Sequence, residues 1–216
     1  MNDLKTLAKD AVEISAKTAL SCIPVGGALV TNVWDAVKSN SARKRLEEWQ
    51  DMLEDRLSRI EATLEDIGNN ENFTSAIYQA TEQAIRTGSK TKREYLANSV
   101  VNSVSCDFEE SVMMMFLDMI GKYTDWHLKV LVFFQNPTKF SDKNPSMFMG
   151  SPGQVLFDCY PELKAQEELV SKIVKELHAD GVFSLDSLNT VMTGNGALAK
   201  RTTKLGDEFI AFITRD

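Results

Sequence analysis

The sequence predicts a mainly α-helical protein, in which an N-terminal multi-helix bundle precedes a small C-terminal winged-helix-like α+β module. Long stretches place apolar residues at intervals of three and four, which is the spacing of a helix with one buried face. Only five prolines and eleven glycines interrupt the 216 residues. The one strong hairpin signal, Thr193-Gly194-Asn195-Gly196, lies near the C-terminus.

The N-terminal part predicts two helices separated by a kink. Apolar residues recur at helical spacing through residues 3–20 and again through residues 28–37. Pro24 and the glycine pair after it interrupt the pattern between them. We therefore expect a helix, a kink and a second helix.

The clearest helical pattern runs from Ser41 to Ile67. Its apolar members are Leu46, Trp49, Leu53, Leu57, Ile60, Leu64 and Ile67. The opposite side is mainly acidic with interspersed arginines, which is typical of a solvated, partly ion-paired face. Gly68 follows, so the pattern predicts one long amphipathic helix that ends there.

Three further helices complete the predicted bundle. A helix from Phe73 to Arg86 and one from Lys90 to Val104 are joined by a short turn, for which a hairpin of two helices is the natural arrangement. Residues 108–134 then form an apolar-periodic run, which predicts a long, central helix bent near Gly121.

A change of composition predicts the domain boundary. Residues 136–153 contain three prolines and no sustained period, so we interpret them as a linker between a bundle at 1–135 and a module at 154–216.

The C-terminal module is expected to begin with a helix that Pro161 opens and Asp180-Gly181 closes. Residues 187–192 alternate in the manner of a strand, Thr193-Gly194-Asn195-Gly196 predicts a hairpin turn, and residues 197–202 are its expected return strand. Thr203 is positioned to cap a last helix.

The net charge and the cysteine content limit which partners and which cellular location we expect. The formal net charge of −7 gives no general attraction to nucleic acid, so we expect protein partners or a homodimer. The three cysteines are far apart and form no C-x-x-C pair, which predicts reduced thiols and a cytoplasmic location.

The sequence offers no catalytic, metal or cofactor site. The chain has two histidines, His127 and His178, and neither belongs to a Glu-x-x-His pair or follows a G-x-S-x-G turn. We interpret both as partly buried helix residues. A Ser–His or Cys–His pair brought together by folding keeps an enzyme open as an alternative.

An uncharged stretch at residues 18–34 is the first candidate functional segment. A buried helix–turn–helix explains it, while a membrane-inserting element within residues 18–37 is the alternative, although its proline and glycines oppose a spanning helix. The residues assigned to this segment are Ile23, Pro24, Val25, Gly26, Gly27, Leu29, Val33 and Trp34.

Two groups of basic residues are the second candidate. They are Arg86, Lys90, Lys92 and Arg93 near one inter-helix turn, and Lys200, Arg201 and Lys204 beside the predicted wing. In a DNA-binding winged helix such residues would form one positive surface. However, the helix expected to read the groove mixes three lysines with four glutamates, which argues against DNA.

Several short motifs carry a resemblance to a known group of proteins. They are the I-P-x-G-G turn from Ile23 to Gly27, the R-x-x-x-W spacing of Arg45 and Trp49, the helix from Phe73 to Arg86, the segment from Lys92 to Tyr95, and the closing T-x-x-G-x-x-F-x-x-F-I from Thr203. This arrangement resembles poorly characterised bacterial and prophage-associated helical proteins, some linked to abortive infection. The resemblance implies architecture and a connection with phage defence, and it transfers no catalytic residue.

These observations favour a non-enzymatic regulatory or protein-interaction protein. A membrane-acting defence effector that uses residues 18–37 is the first alternative, and a DNA-binding regulator is the second.

Overall fold

A computed structural model describes residues 40–59, 70–140 and 149–214. These residues are mainly helical, with one small antiparallel sheet of two strands, as the sequence predicted in outline. They form two compact units. The first contains the described residues up to Lys122 together with 212–214, and the second contains those from Tyr123 to Ala211.

Four helices build the first unit: α1 (Asn40–Leu57), α2 (Glu71–Arg86), α3 (Lys90–Asn102) and α4 (Glu110–Lys122). The side chains of Asn70 and Ser89 cap α2 and α3 by accepting from backbone N–H groups three residues later. The fully buried Trp49 anchors α1 against α2, because its indole Nε1 donates to Thr81 Oγ1 at 3.1 Å.

Helix α1 covers only part of the predicted helix from Ser41 to Ile67. It ends at Leu57 and is followed by a turn at Ser58 and Arg59, while residues 60–69 lie outside the described part of the chain. The buried face of the described helix follows the predicted spacing, because Trp49, Leu53 and Leu57 are all buried.

The second unit begins with α5 (Asp125–Gln135) and a 3-10 turn at Pro137–Lys139. Strand β1 (Met149–Gly150) and α6 (Pro152–Cys159) follow, and a 3-10 segment at Pro161–Gln166 then leads into α7 (Glu167–Ala179). Strand β2 (Met192–Thr193), the single turn α8 (Gly194–Ala197) and α9 (Lys204–Ile213) complete the described elements, and the last turn of α9 belongs to the first unit.

The predicted helix over residues 108–134, bent near Gly121, is in the structure two separate helices. Helix α4 ends at Lys122 and α5 starts at Asp125, so Tyr123 and Thr124 separate two helices. Thr124 has extended backbone angles and occupies the N-cap of α5, which is why apolar spacing alone does not show the break.

The predicted hairpin over residues 187–202 is wrong. Strand β2 pairs with the distant β1, and residues 194–197 form a helical turn in which Thr193 Oγ1 accepts from Gly196 N–H at 3.2 Å. Two-residue hairpin turns require positive φ, and Gly181 is the one glycine with positive φ in the described residues. The expected return strand contributes only an isolated bridge between Thr202 and Phe183.

Two predicted helix ends in the second unit are confirmed. Helix α7 stops before Asp180 and Gly181, and the φ of 75° at Gly181 is the left-handed conformation that closes helices. Thr203 caps α9, since its hydroxyl oxygen accepts from Gly206 N–H at 3.0 Å. The predicted linker boundaries at residues 136 and 153 both fall within the second unit, and the chain between them is only partly described.

Replacing Gly206 with Ala tests the packing of the second unit. A Cβ at this position would overlap the carbonyl oxygen of Val182, and backbone at that place cannot rotate away. We expect a loss of about 3 kcal/mol in the free energy of unfolding, measured by urea denaturation.

Gly88→Ala is the matched control, because its added Cβ would meet only the end of the Arg45 side chain at 3.8 Å. Equal stability of the two variants would contradict the close approach of Gly206 to Val182.

Candidate functional site

The first predicted basic group is engaged in contacts within its own unit. Arg86 pairs with Glu82 at 2.6 Å and Lys90 with Glu94 at 4.0 Å, each one helical turn apart. Lys92 Nζ donates to the carbonyl oxygen of Gly121 at 2.9 Å. The ion pairs of Arg86 and Lys90 compensate part of the positive charge that a phosphate-binding surface needs.

Arg93 of the same group does not lie on the surface. The residue is only 4% exposed, and its guanidinium donates to Glu48 Oε2 at 2.7 Å and to the carbonyl oxygen of Thr87 at 3.1 Å. Glu48 belongs to α1 and Thr87 follows α2, so Arg93 ties three helices of the first unit together. Its role in a surface patch is therefore excluded by burial.

The second basic group is paired in the same way. Lys200 forms an ion pair with Asp207, and Lys204 pairs with Glu208 at 3.5 Å. Arg201 donates to the carbonyl oxygen of Gly196 and holds the single turn α8 in place. The pKa of Asp207 is lowered by its contacts with Lys200 and Thr202, which outweigh the raising effect of its burial.

The uncharged segment at residues 18–37 lies outside the described residues, and the eight positions assigned to it stay a prediction. Among the helices that the structure describes, none is both long and apolar enough to cross a bilayer.

A polar cluster that the sequence analysis missed lies between α5 and α7. We call Tyr123, Thr124, His127, Glu176 and Asp180 the His127 cluster. His127 Nε2 lies 2.8 Å from Glu176 Oε2, and the Tyr123 hydroxyl donates to Asp180 Oδ2, also at 2.8 Å. The rings of Tyr123 and His127 are stacked with centroids 5.1 Å apart, so the two side chains form one buried wall.

Helical spacing creates this cluster. Tyr123 and His127 are four residues apart at the start of α5, and Glu176 and Asp180 are four residues apart at the end of α7. Each pair therefore lies on one side of its own segment, and the two sides face each other. Two i, i+4 polar pairs of matching chemistry are the signal from which sequence reasoning could have found the site.

The electrostatics of the cluster keep Tyr123 neutral and Glu176 charged. Burial raises the pKa of Tyr123 far above its ordinary value, and the hydrogen bond to Asp180 raises it further. The hydrogen bond from His127 lowers the pKa of Glu176, with Lys172 contributing from 3.6 Å away. A buried tyrosine bonded to a carboxylate is a structural donor, because removing its proton would place two negative charges together.

The cluster has little room for a substrate. The adjoining depression, of about 500 Å³, is lined by Glu168, Ser171, Lys172, Lys175, Glu176 and Ala179. All six belong to α7, so this is the side of one helix, whereas substrate sites are enclosed by several elements. Over residues 40–59, 70–140 and 149–214, no three His, Cys, Asp or Glu side chains are placed to hold a metal ion.

A second surface feature lies on the two-stranded sheet. Met149 is paired with Thr193, and Gly150 with Met192. Opposed residues of an antiparallel pair share a face, and residues two apart in one strand also share it. Val191 directly precedes β2, two positions before Thr193, so extending the alternation by one residue places it on the side of Met149. Met149 and Val191 are 57% and 63% exposed. We call Met149, Val191 and Thr193 the ribbon face.

Comparison with protein-family models, with curated proteins and with solved structures gives no match for this chain.

Replacing Glu176 with Gln tests the charge in the His127 cluster. Because its folded pKa is lowered, Glu176 contributes stability above its unfolded pKa, near 4.5, and loses it as the pH falls further. We expect E176Q to be less stable than the wild type at pH 7 by about 0.5 kcal/mol, since the carboxylate is partly exposed.

The measurement is urea denaturation from pH 7 to pH 3, and the difference between the two proteins should shrink below about pH 4.5. A difference that grows as the pH falls below 4.5 would reverse the assigned sign.

Removing the Tyr123 hydroxyl tests the other half of the cluster. Tyr123→Phe keeps the ring stacked on His127 but deprives Asp180 of its donor, so we expect a loss of about 1 kcal/mol in unfolding free energy. Tyr78→Phe is the control, because Tyr78 is exposed. Thermal and urea unfolding of both variants provide the comparison, and equal stabilities would show that the Asp180 contact contributes nothing.

Proposed function

We propose that this chain is a non-enzymatic protein-interaction protein of the cytoplasm that binds its partner through the ribbon face. The exposure of Met149 and Val191 is the observation that carries the proposal. Val191 is the most exposed of the large apolar residues that the structure describes, and Met149 is second. We infer an interaction surface here because exposed apolar side chains that are grouped together mark such surfaces.

The chemistry of the second unit supports binding over catalysis. The His127 cluster engages its groups with one another, and its adjoining depression is formed by one helix. A catalytic base needs open space beside it for the atom from which it takes a proton.

Charge favours a different protein as the partner over a second copy of this chain. With a net charge of −7, two copies repel each other at long range, whereas a basic protein is attracted. The ion pairs of Lys200 and Lys204 also remove the positive charge on which a DNA-binding role depends. We therefore propose a partner with a basic rim around an apolar contact.

Site-specific photo-crosslinking tests this assignment. A photoreactive residue at Val191 should give one discrete protein adduct in cells that express the chain naturally, while the same residue at Leu169, an exposed apolar position on α7, should not. Adding Met149→Asp should reduce the Val191 adduct about tenfold, because it places a charge inside an apolar contact. Tyr78→Asp, on the first unit, should leave it unchanged.

Adduct mass decides between partners. An adduct of twice the chain mass would replace the proposed partner with a homodimer through the same face. Equal adducts from positions 191 and 169, or no effect of Met149→Asp, would refute the ribbon face as the binding surface.

A further inference from the structure

A histidine caps the N-terminus of α5 from the third helical position, which glutamate or glutamine occupies in the usual capping box. Thr124 is the N-cap residue and His127 lies three positions later, as in a capping box. The backbone N–H of Thr124 donates to His127 Nδ1 at 3.2 Å. Unlike a glutamine oxygen, this acceptor disappears when the imidazole takes up a proton.

The two ring nitrogens of His127 have opposite roles. Because Nδ1 accepts from the Thr124 amide, the hydrogen of the neutral ring belongs on Nε2, where it is donated to Glu176 Oε2 at 2.8 Å. These two contacts fit the neutral tautomer with its hydrogen on Nε2, which has a hydrogen bond on each side of the ring.

We propose that His127 is a pH-sensitive helix cap, in which a second proton on Nδ1 displaces the Thr124 amide and loosens the first turn of α5 while the bond to Glu176 remains. The proton on Nδ1 would point at a backbone N–H, and two donors cannot bond to each other. The Thr124 hydroxyl oxygen, 2.9 Å from Nδ1, becomes the new acceptor. The amide of Thr124 is left to water.

Charged groups on α7 and α5 affect how readily the His127 ring takes up its second proton. From α7, Glu176 faces the ring directly, Lys172 lies against the other carboxylate oxygen of Glu176, and Asp180 follows the helix. On its own element, Asp125 stands in the first turn of α5. From α9, Phe209 contacts the Tyr123 ring and brings no charge.

The carboxylates favour the imidazolium, whereas burial and the partial positive charge of the helix N-terminus oppose it.

His127→Gln separates the capping of α5 from the protonation of the residue-127 side chain. Glutamine at the third helical position accepts from the N-cap amide at every pH, so H127Q preserves the capping box and removes the proton. His178→Gln is the matched control. His178 lies on α7, and its Nδ1 is 3.0 Å from the carbonyl oxygen of Phe183, away from Thr124.

NMR of the full chain from pH 8 to pH 5 provides the measurement. We expect the Nε2–H tautomer of His127 at pH 8. As the ring takes up its second proton, the Thr124 amide should shift, and its protection factor against hydrogen exchange should fall about fivefold. H178Q should behave as the wild type, and H127Q should show a constant Thr124 amide.

Three results would each overturn the proposal: the Nδ1–H tautomer at pH 8, a Thr124 amide that does not respond while the ring titrates, or a response that persists in H127Q. The first two come from the wild type alone, so the proposal can be rejected even if H127Q fails to fold. None of these outcomes depends on the ribbon face.

Discussion

Two hydrogen bonds join the start of α5 to the last turn of α7, and they position the two helices against each other. Tyr123 binds Asp180 and His127 binds Glu176, and these two contacts fix the position of the end of α7 along the axis of α5. Gly181 then turns the chain, and Val182 N–H donates to Leu177 O at 3.1 Å. Because the carbonyl of Val182 also accepts from Thr203 N–H, this turn fixes where α9 begins.

Ion pairs inside each unit engage a substantial part of the positive charge on the described residues. Several basic side chains pair with an acid one helical turn away, and such exposed pairs add little stability but cancel local charge. Arg93 is the exception, because its buried contact with Glu48 links separate helices. A count of lysines and arginines in the sequence therefore overstates the positive surface that folding leaves available.

The sequence predicted the helices whose apolar faces are long and uninterrupted. Helices α2 and α3 were expected within two residues of their observed limits, because their apolar spacing is regular and a short turn separates them. Tyr123–Thr124 and Thr193–Gly196 were misread for local reasons. The capping box of α5 has histidine in the third position in place of the usual glutamate or glutamine, so the sequence pattern does not reveal it. A threonine followed by glycines can begin a helical turn as well as a hairpin. The pairing of β2 with β1, and with it the ribbon face, depends on contacts distant in sequence that no local pattern records.

That distant pairing has a kinetic meaning. Each strand of the sheet has two residues, and the chain between them includes α6 and α7, so a large loop must close before any of its hydrogen bonds form. The few hydrogen bonds between the two strands do not by themselves offset the entropy lost in closing this loop. We therefore expect the pairing of β1 with β2 to form after α6 and α7. The two strands are then among the last parts of the second unit to become ordered.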